Sequence, residues 1–291
     1  MSNARSPVDR REGSLSVAPG VDLGLARRIL AAPAAAVIHE NRRGEVAEVE
    51  VDGERFARKR YRGGGALRGT LRRLAARRTW RVLLAARGHG LPLPEPICLD
   101  EDPRGAAIVT RWFPGDHIHL VHAGARERFA ADRALLDAFL GTIADAVVAL
   151  LGGGSAGPAR GAAISTGDLA PHNLLIGEGA AGWRACLVDL DDARLVPRVP
   201  PERIIDNLMQ LGHLPPTVPL RHRLRLLDLF LERGGAALLG ARASDPRALR
   251  RELAAKIERR DRRKKERHRH GGAEKHPFPG WGLDREGKPI R

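Results

Sequence analysis

A two-lobed α+β fold, with a small antiparallel sheet ahead of a compact and mostly helical lobe, is predicted by three features of this chain. Short β-branched runs separated by tight turns occupy residues 36–61 and 97–110. Leu- and Ala-rich segments of helical spacing take over from Arg128. Among those helices lies a hairpin-like stretch, Ser165 to Arg194, which places Asp168, Asn173 and Asp189 at loop and strand-end positions.

The chain has 291 residues, enough for one two-lobed domain or two small ones. Hydrophobic residues make up 43% of it, so a sizeable core can form, and aromatics at 4% leave that core to Leu, Val and Ala. Cys98 and Cys186 sit in apolar runs and read as small buried hydrophobes, not as a disulfide or a metal site. The longest apolar segment, Ala134 to Leu151, carries Asp137 and Asp145 and reads as a buried helix. The first residues lack the apolar stretch of a secretory signal, so a cytoplasmic protein is expected. The formal net charge is +15. A surface that basic gathers anions: nucleotides, nucleic acid or the acidic face of a membrane.

In chain order, residues 1–30 read as a loosely ordered extension with one helix over 23–32. The first lobe is expected over residues 31–110. Three strands with tight turns, near 36–38, 46–51 and 55–61, open it, and Asp52-Gly53 marks a hairpin. The third strand carries Arg58-Lys59-Arg60-Tyr61. Lys59 is the sole lysine of the first 250 residues, which suggests that a compact ammonium was needed there. Gly63-Gly64-Gly65 reads as a flexible connection. One or two helices follow over 66–87, with Leu67, Leu71, Leu74, Trp80, Leu83 and Leu84 at helical spacing and no acid between Arg55 and Leu93. A Pro-rich connector, Gly88 to Pro96, leads to strands at 97–100 and 106–110, and Arg111 to Gly115 reads as a hinge.

The second lobe is expected over 111–246. His117, His119 and His122 have no acidic cluster beside them and read as structural. A helix over 128–151, a Gly/Pro loop over 152–161, the central hairpin, an amphipathic segment over 203–211 and a helix over 221–233 complete it. Residues 247–291 are strongly basic and read as a helix that frays into a tail. Such tails attract nucleic acid or anionic surfaces with little sequence preference.

The central stretch carries the chemistry. Asp168 and Asn173 share a short loop, then come the apolar run 174–176, a Gly-rich turn and a second apolar run, 185–188, ending at Asp189. Two carboxylates and an amide converging on one spot suit Mg²⁺, which takes hard oxygen ligands and draws only one or two from the protein. Asp, four residues, Asn, and a later Asp after a strand is the order of the catalytic and metal loops of kinases. On that template Asp168 accepts the proton of the attacking hydroxyl. Asn173 and Asp189 hold Mg²⁺, and Lys59 holds the α- and β-phosphates of ATP. The turn that covers the phosphates in a kinase falls at residues 39–45, where the only glycine is Gly44.

Four segments in order make the chain resemble the lipopolysaccharide kinase family, the heptose and Kdo kinases of the bacterial envelope. They are Arg58-Lys59-Arg60-Tyr61; Thr79-Trp80-Arg81 with Gly90-Leu91-Pro92-Leu93-Pro94-Glu95-Pro96; Gly167-Asp168-Leu169 through Asn173-Leu174-Leu175; and Val188-Asp189-Leu190-Asp191. The resemblance spans residues 36–240. It implies ATP- and Mg²⁺-dependent phosphorylation of a sugar hydroxyl in a lipopolysaccharide core or related glycolipid, at the cytoplasmic side of the inner membrane. Thr166 stands where the family commonly has His, and Arg78-Thr79-Trp80 lacks an acidic residue that some members carry.

Two other readings fit the same residues. A non-catalytic kinase-like module would use its basic tail on nucleic acid or a membrane. A phosphotransferase of the same fold would act on a small soluble metabolite or a protein.

Overall fold

The computed structural model describes residues 10–12, 14–41, 44–62, 66–87, 89–103, 105–152, 163–215 and 217–269. They form two compact units. The first contains the residues up to Phe113 together with Asp189–Arg194, and the second contains Pro114–Val188 and the residues from Leu195 on.

The first unit is built on β1 (Arg10–Glu12), β2 (Leu15–Val17), α1 (Leu23–Ala31), β3 (Ala36–Asn41), β4 (Gly44–Val51), β5 (Glu54–Arg62), α2 (Ala66–Arg87), β6 (Pro96–Asp102) and β7 (Gly105–Arg111). Its strands make one seven-stranded sheet in the order β1-β2-β6-β7-β5-β4-β3, antiparallel at every pairing. Asp52 (φ 54°) and Gly53 (φ 77°) form the two-residue turn between β4 and β5, the left-handed pair that matches strand twist. Register sets Lys59 of β5 between Val46 of β4 and Ile108 of β7. Because side chains alternate along a strand, Arg58 and Lys59 serve opposite faces of the sheet.

Residues 15–30, expected to belong to a loosely ordered extension, are instead part of this unit. β2 pairs with β6, and Leu15, Val17, Ala26 and Ile29 are buried with Val49, Phe56, Ile97, Cys98 and Val109. A three-residue strand whose partner lies far along the chain carries too little local periodicity to be read from sequence. Arg58, 2% exposed, closes this core by sending Nη1 to the carbonyls of Ile29 (3.3 Å), Leu30 (3.2 Å) and Ala32 (2.7 Å). Those are carbonyls that the end of α1 leaves without an intrahelical partner. The unit also runs past residue 110, to Phe113.

The second unit comprises β8 (Asp116–His117), α3 (Ile118–Gly124), α4 (Arg126–Ala131), α5 (Arg133–Leu150), β9 (Ala163–Ser165), β10 (Leu174–Gly179), β11 (Gly182–Leu187), all but the first residue of β12 (Arg194–Val196), α6 (Pro201–Leu211), α7 (Leu220–Phe230), α8 (Ala236–Leu239) and α9 (Pro246–Arg269). The helix expected over 128–151 is interrupted at Asp132, whose carboxylate accepts from the Leu135 N–H at 3.0 Å and so caps α5. α5 is the core of the unit, with Phe139, Ile143 and Val147 fully buried. β10 and β11 pair along their whole length, from Leu174↔Leu187 to Gly179↔Gly182. β8 adds to the other edge of β10, with His117 opposite Leu175. Gly177 permits that approach, since a Cβ there would lie 2.0 Å from the Pro114 carbonyl oxygen.

The boundary expected at residue 247 falls inside this unit. Leu249 and Leu253 of α9 are buried, and Lys256 pairs with Asp206 of α6 at 3.0 Å. Apolar residues at 249, 253 and 257 give the Arg-rich helix one packing face. The remainder of the basic tail, residues 270–291, lies outside the described residues, as do Gly63–Gly65 and most of the Gly/Pro loop before β9. Among the described residues no helix is long and apolar enough to cross a membrane.

Candidate active site

In the first unit, β5 carries Lys59 and Tyr61 on the face opposite Arg58. Lys59 Nζ lies 2.6 Å from Asp189 Oδ1 and 2.7 Å from Asp191 Oδ1. The Tyr61 hydroxyl donates to that same Asp191 oxygen at 2.7 Å, and the Lys59 ammonium sits 5.2 Å from the centre of the Tyr61 ring. Burial, followed by the charge of Asp191 and the hydrogen bond it accepts, pushes the Tyr61 phenol well above its usual range, so it remains a proton donor.

α2 has no carboxylate to offer Lys59, and the 189–191 segment supplies two in its place. The helix grips that segment by its backbone: the Arg78 guanidinium donates to the Asp191 carbonyl, and the Thr79 hydroxyl donates to the Leu190 carbonyl at 3.3 Å. Sequence reasoning assigns no role to Asp191. The signal for it is the pairing of an acid-free helix with a second carboxylate two residues beyond Asp189. Asp189 itself has φ 56°, a left-handed conformation that costs a non-glycine residue energy and persists where surrounding bonds hold it.

In the second unit, the loop 166–173 is braced through its backbone. The Asp168 N–H donates to Thr166 Oγ1 at 3.1 Å, and the Asp168 carbonyl accepts from Asn173 Nδ2 at 3.0 Å. Gln210 Nε2 of α6 donates to the Gly167 carbonyl at 2.6 Å. Thr166 therefore steadies the loop. Asn173 is 4% exposed, with Nδ2 tied to the loop. The Val188 N–H donates to the Asn173 carbonyl at 2.7 Å, so the chain leaves β11 beside Asn173 one residue before Asp189.

Of the four sequence-predicted residues, Lys59 and Asp189 are brought together in the first unit, and Asp168 and Asn173 in the second. The three histidines lie in the second unit. His117 and His119 stack with ring centres 5.8 Å apart, and burial lowers the His117 pKa. His122 Nε2 meets His222 Nδ1 at 2.9 Å. Burial foremost, then His222 and two arginines, lowers His122 from 6.5 to about 4. Cys98 and Cys186 are buried, and burial pushes each thiol up to about 12. Among the described residues no group of three or more His, Cys, Asp or Glu is placed to hold a metal ion.

An antiparallel-sheet unit carrying a paired lysine, followed by a mostly helical unit carrying a braced Asp/Asn loop and hairpin, defines a two-lobed protein-kinase-like fold. No protein-family model matches the chain, and no curated protein does. Among solved structures, one of WaaP in complex with acyl carrier protein is similar, with a TM-score of 0.57 and 20% identity over 80% of this chain and 91% of that one. At that identity the likeness is one of fold.

Proposed function

We propose that this protein is an ATP- and Mg²⁺-dependent kinase that phosphorylates a sugar hydroxyl of a lipopolysaccharide core or related glycolipid, at the inner face of the bacterial inner membrane. The observation that carries the reading is the Lys59–Asp189 pair, 2.6 Å apart. It sets the one lysine of the sheet beside the strand-end aspartate, the residue types that in a kinase hold the phosphates and the metal. The four segments that resemble lipopolysaccharide kinases, together with the fold shared with WaaP, support the class of acceptor.

On the kinase template Asn173 and Asp189 would hold Mg²⁺; the amide oxygen and the carboxylate are hard donors, and this ion takes one or two such from a protein beside phosphates and water. When bound, the ion neutralises charge on the β- and γ-phosphates. Lys59, held between two carboxylates, pairs with the α- and β-phosphate oxygens. Asp168 takes the proton of the acceptor hydroxyl as its oxygen bonds to the γ-phosphorus and the bond to the ADP oxygen breaks.

Purified full-length protein assayed for ATP turnover on core sugars, lipid A precursors and protein acceptors tests the reading. Turnover that is lost in Asp168→Asn, while Mg²⁺-ATP still raises the unfolding temperature, is the expected result. A folded protein that shows neither turnover nor a Mg²⁺-ATP thermal shift rejects it. One observation favours a kinase-like binding module without turnover. A Cβ on Gly44 would lie 2.1 Å from the Arg60 carbonyl oxygen, so that glycine serves strand approach and not a phosphate. Nucleotide binding without turnover on any acceptor would select that alternative.

A further inference from the structure

α2 carries two apolar faces, and the fold uses one of them. Ala76, Trp80 and Leu83 are buried at 0%, 3% and 2% exposure on the side that meets the sheet. Leu67, Leu71 and Leu74, spaced i, i+4 and i+7, line the opposite side at 76%, 58% and 53% exposure. They form a single ridge about 10 Å long. By helical period, Arg68 flanks the ridge on one side and Arg77 and Arg81 on the other, while Arg72 and Arg73 lie further round toward the sheet. Arg77 pairs with Glu101, and Arg73 donates to the Asp102 carbonyl. Arg68, Arg72 and Arg81 make no ion pair among the described residues. No acid occurs anywhere from Arg55 through Pro94 to balance them.

We propose that this face of α2 docks the protein on an anionic membrane, with the leucine ridge at the boundary of headgroups and acyl chains and the flanking arginines on lipid phosphates. The ridge lies on the side of the helix turned away from the sheet, and Arg78, next on the same line, is committed to the Asp191 carbonyl. Arginine stems are long enough to cover apolar surface while their heads reach upward to phosphate. Cations of one sign beside an apolar stripe match the pattern of helices that lie in the interfacial plane. The docking face does not depend on phosphoryl transfer, and it would serve a non-catalytic module equally.

The test pellets full-length protein with vesicles of phosphatidylcholine alone and with phosphatidylglycerol added, at low and high salt. The wild type is expected to partition onto the anionic vesicles and to be released by salt. A variant with Leu67→Ser, Leu71→Ser and Leu74→Ser is expected to lose about tenfold or more of that partitioning. Arg68→Gln with Arg81→Gln is expected to weaken binding to anionic vesicles only, and both variants should keep the wild-type unfolding curve. In a second readout, Leu71→Cys labelled with a polarity-sensitive dye should shift to the blue on anionic vesicles, since Cys98 and Cys186 are buried. A leucine variant that pellets like the wild type overturns the proposal, as does a dye that keeps its aqueous emission. Binding that ignores both lipid charge and salt also overturns it, and so does a ridge that captures an acidic soluble protein while the vesicles stay bare.

Discussion

Lys59 and Asp191 are joined at 2.7 Å across the first unit, and Tyr61 holds the same carboxylate oxygen from its own side at 2.7 Å. A kinase of the usual kind orients its strand lysine with a glutamate on the neighbouring helix. Here the helix has none, and the carboxylate is borrowed from the segment beyond the hairpin. The helix instead hydrogen-bonds that segment's carbonyls through Arg78 and Thr79.

Replacing Asp191 by Asn should separate orientation from stability. The side chains of the Lys59–Asp191 pair are 28% and 42% exposed, so its loss should cost under about 1 kcal/mol of folding stability. Under the proposed function, kcat/KM for ATP should fall by about tenfold, because Lys59 loses one of its two anchors. Urea unfolding and steady-state kinetics with varied ATP check the two halves.

Tyr61 should make the protein alkali-sensitive. Its phenol ionises near pH 10 when unfolded and well above that in the folded chain, chiefly through burial. Between those two values the folded state binds the extra proton, so stability is full below pH of about 10 and declines as pH rises toward the folded value. Tyr61→Phe should remove that decline while lowering stability near neutrality by about 1 kcal/mol for the lost hydrogen bond. Thermal unfolding across alkaline pH measures both.

Arg58→Leu should destabilise the first unit by about 2–4 kcal/mol, since it leaves three carbonyls at the end of α1 without their donor. Arg58→Lys should recover only part of this, because one ammonium cannot reproduce the guanidinium fork. Loss of amide protection in residues 28–32 by hydrogen exchange would locate the effect.

His122 should give the second unit an acid limit. The unfolded imidazole titrates near 6.5, and the folded one is lowered to about 4. In that interval the unfolded chain binds more protons, so stability is present above pH 6.5 and is lost as pH falls toward 4. Arg126 and Arg223 beside the pair reinforce the neutral state of His122, and the partner His222 is lowered as well. His122→Gln should flatten the acid slope by about 1–3 kcal/mol over that range. The difference between variant and wild-type unfolding midpoints from pH 7 down to 4 reports it.

Several elements were legible from local pattern. Alternation and tight turns predict β3, β4 and β5, and helical spacing predicts α2, α6 and α7. Two apolar runs around a Gly-rich turn predict the β10–β11 hairpin. The arms of that hairpin pair along their whole length as expected. Three features were not legible: β2 within the sheet, the packing face of α9, and Asp191 as a partner of Lys59. Leu15 pairs with Asp100, and Lys59 bonds a carboxylate more than a hundred positions later. No window of adjacent residues holds both halves of either contact.

The amino-acid order alone determined the two-lobed α+β plan, the strand that carries Lys59, and the loop and hairpin that carry Asp168, Asn173 and Asp189. Each of these follows from side-chain periodicity and turn chemistry over a few neighbouring residues. Tertiary structure alone decided which carboxylates meet Lys59, that Arg58 closes α1 on the opposite face, and that Thr166 braces the loop. Those outcomes depend on strand register and on helices packed against segments remote in the chain, where burial makes each polar group find a partner.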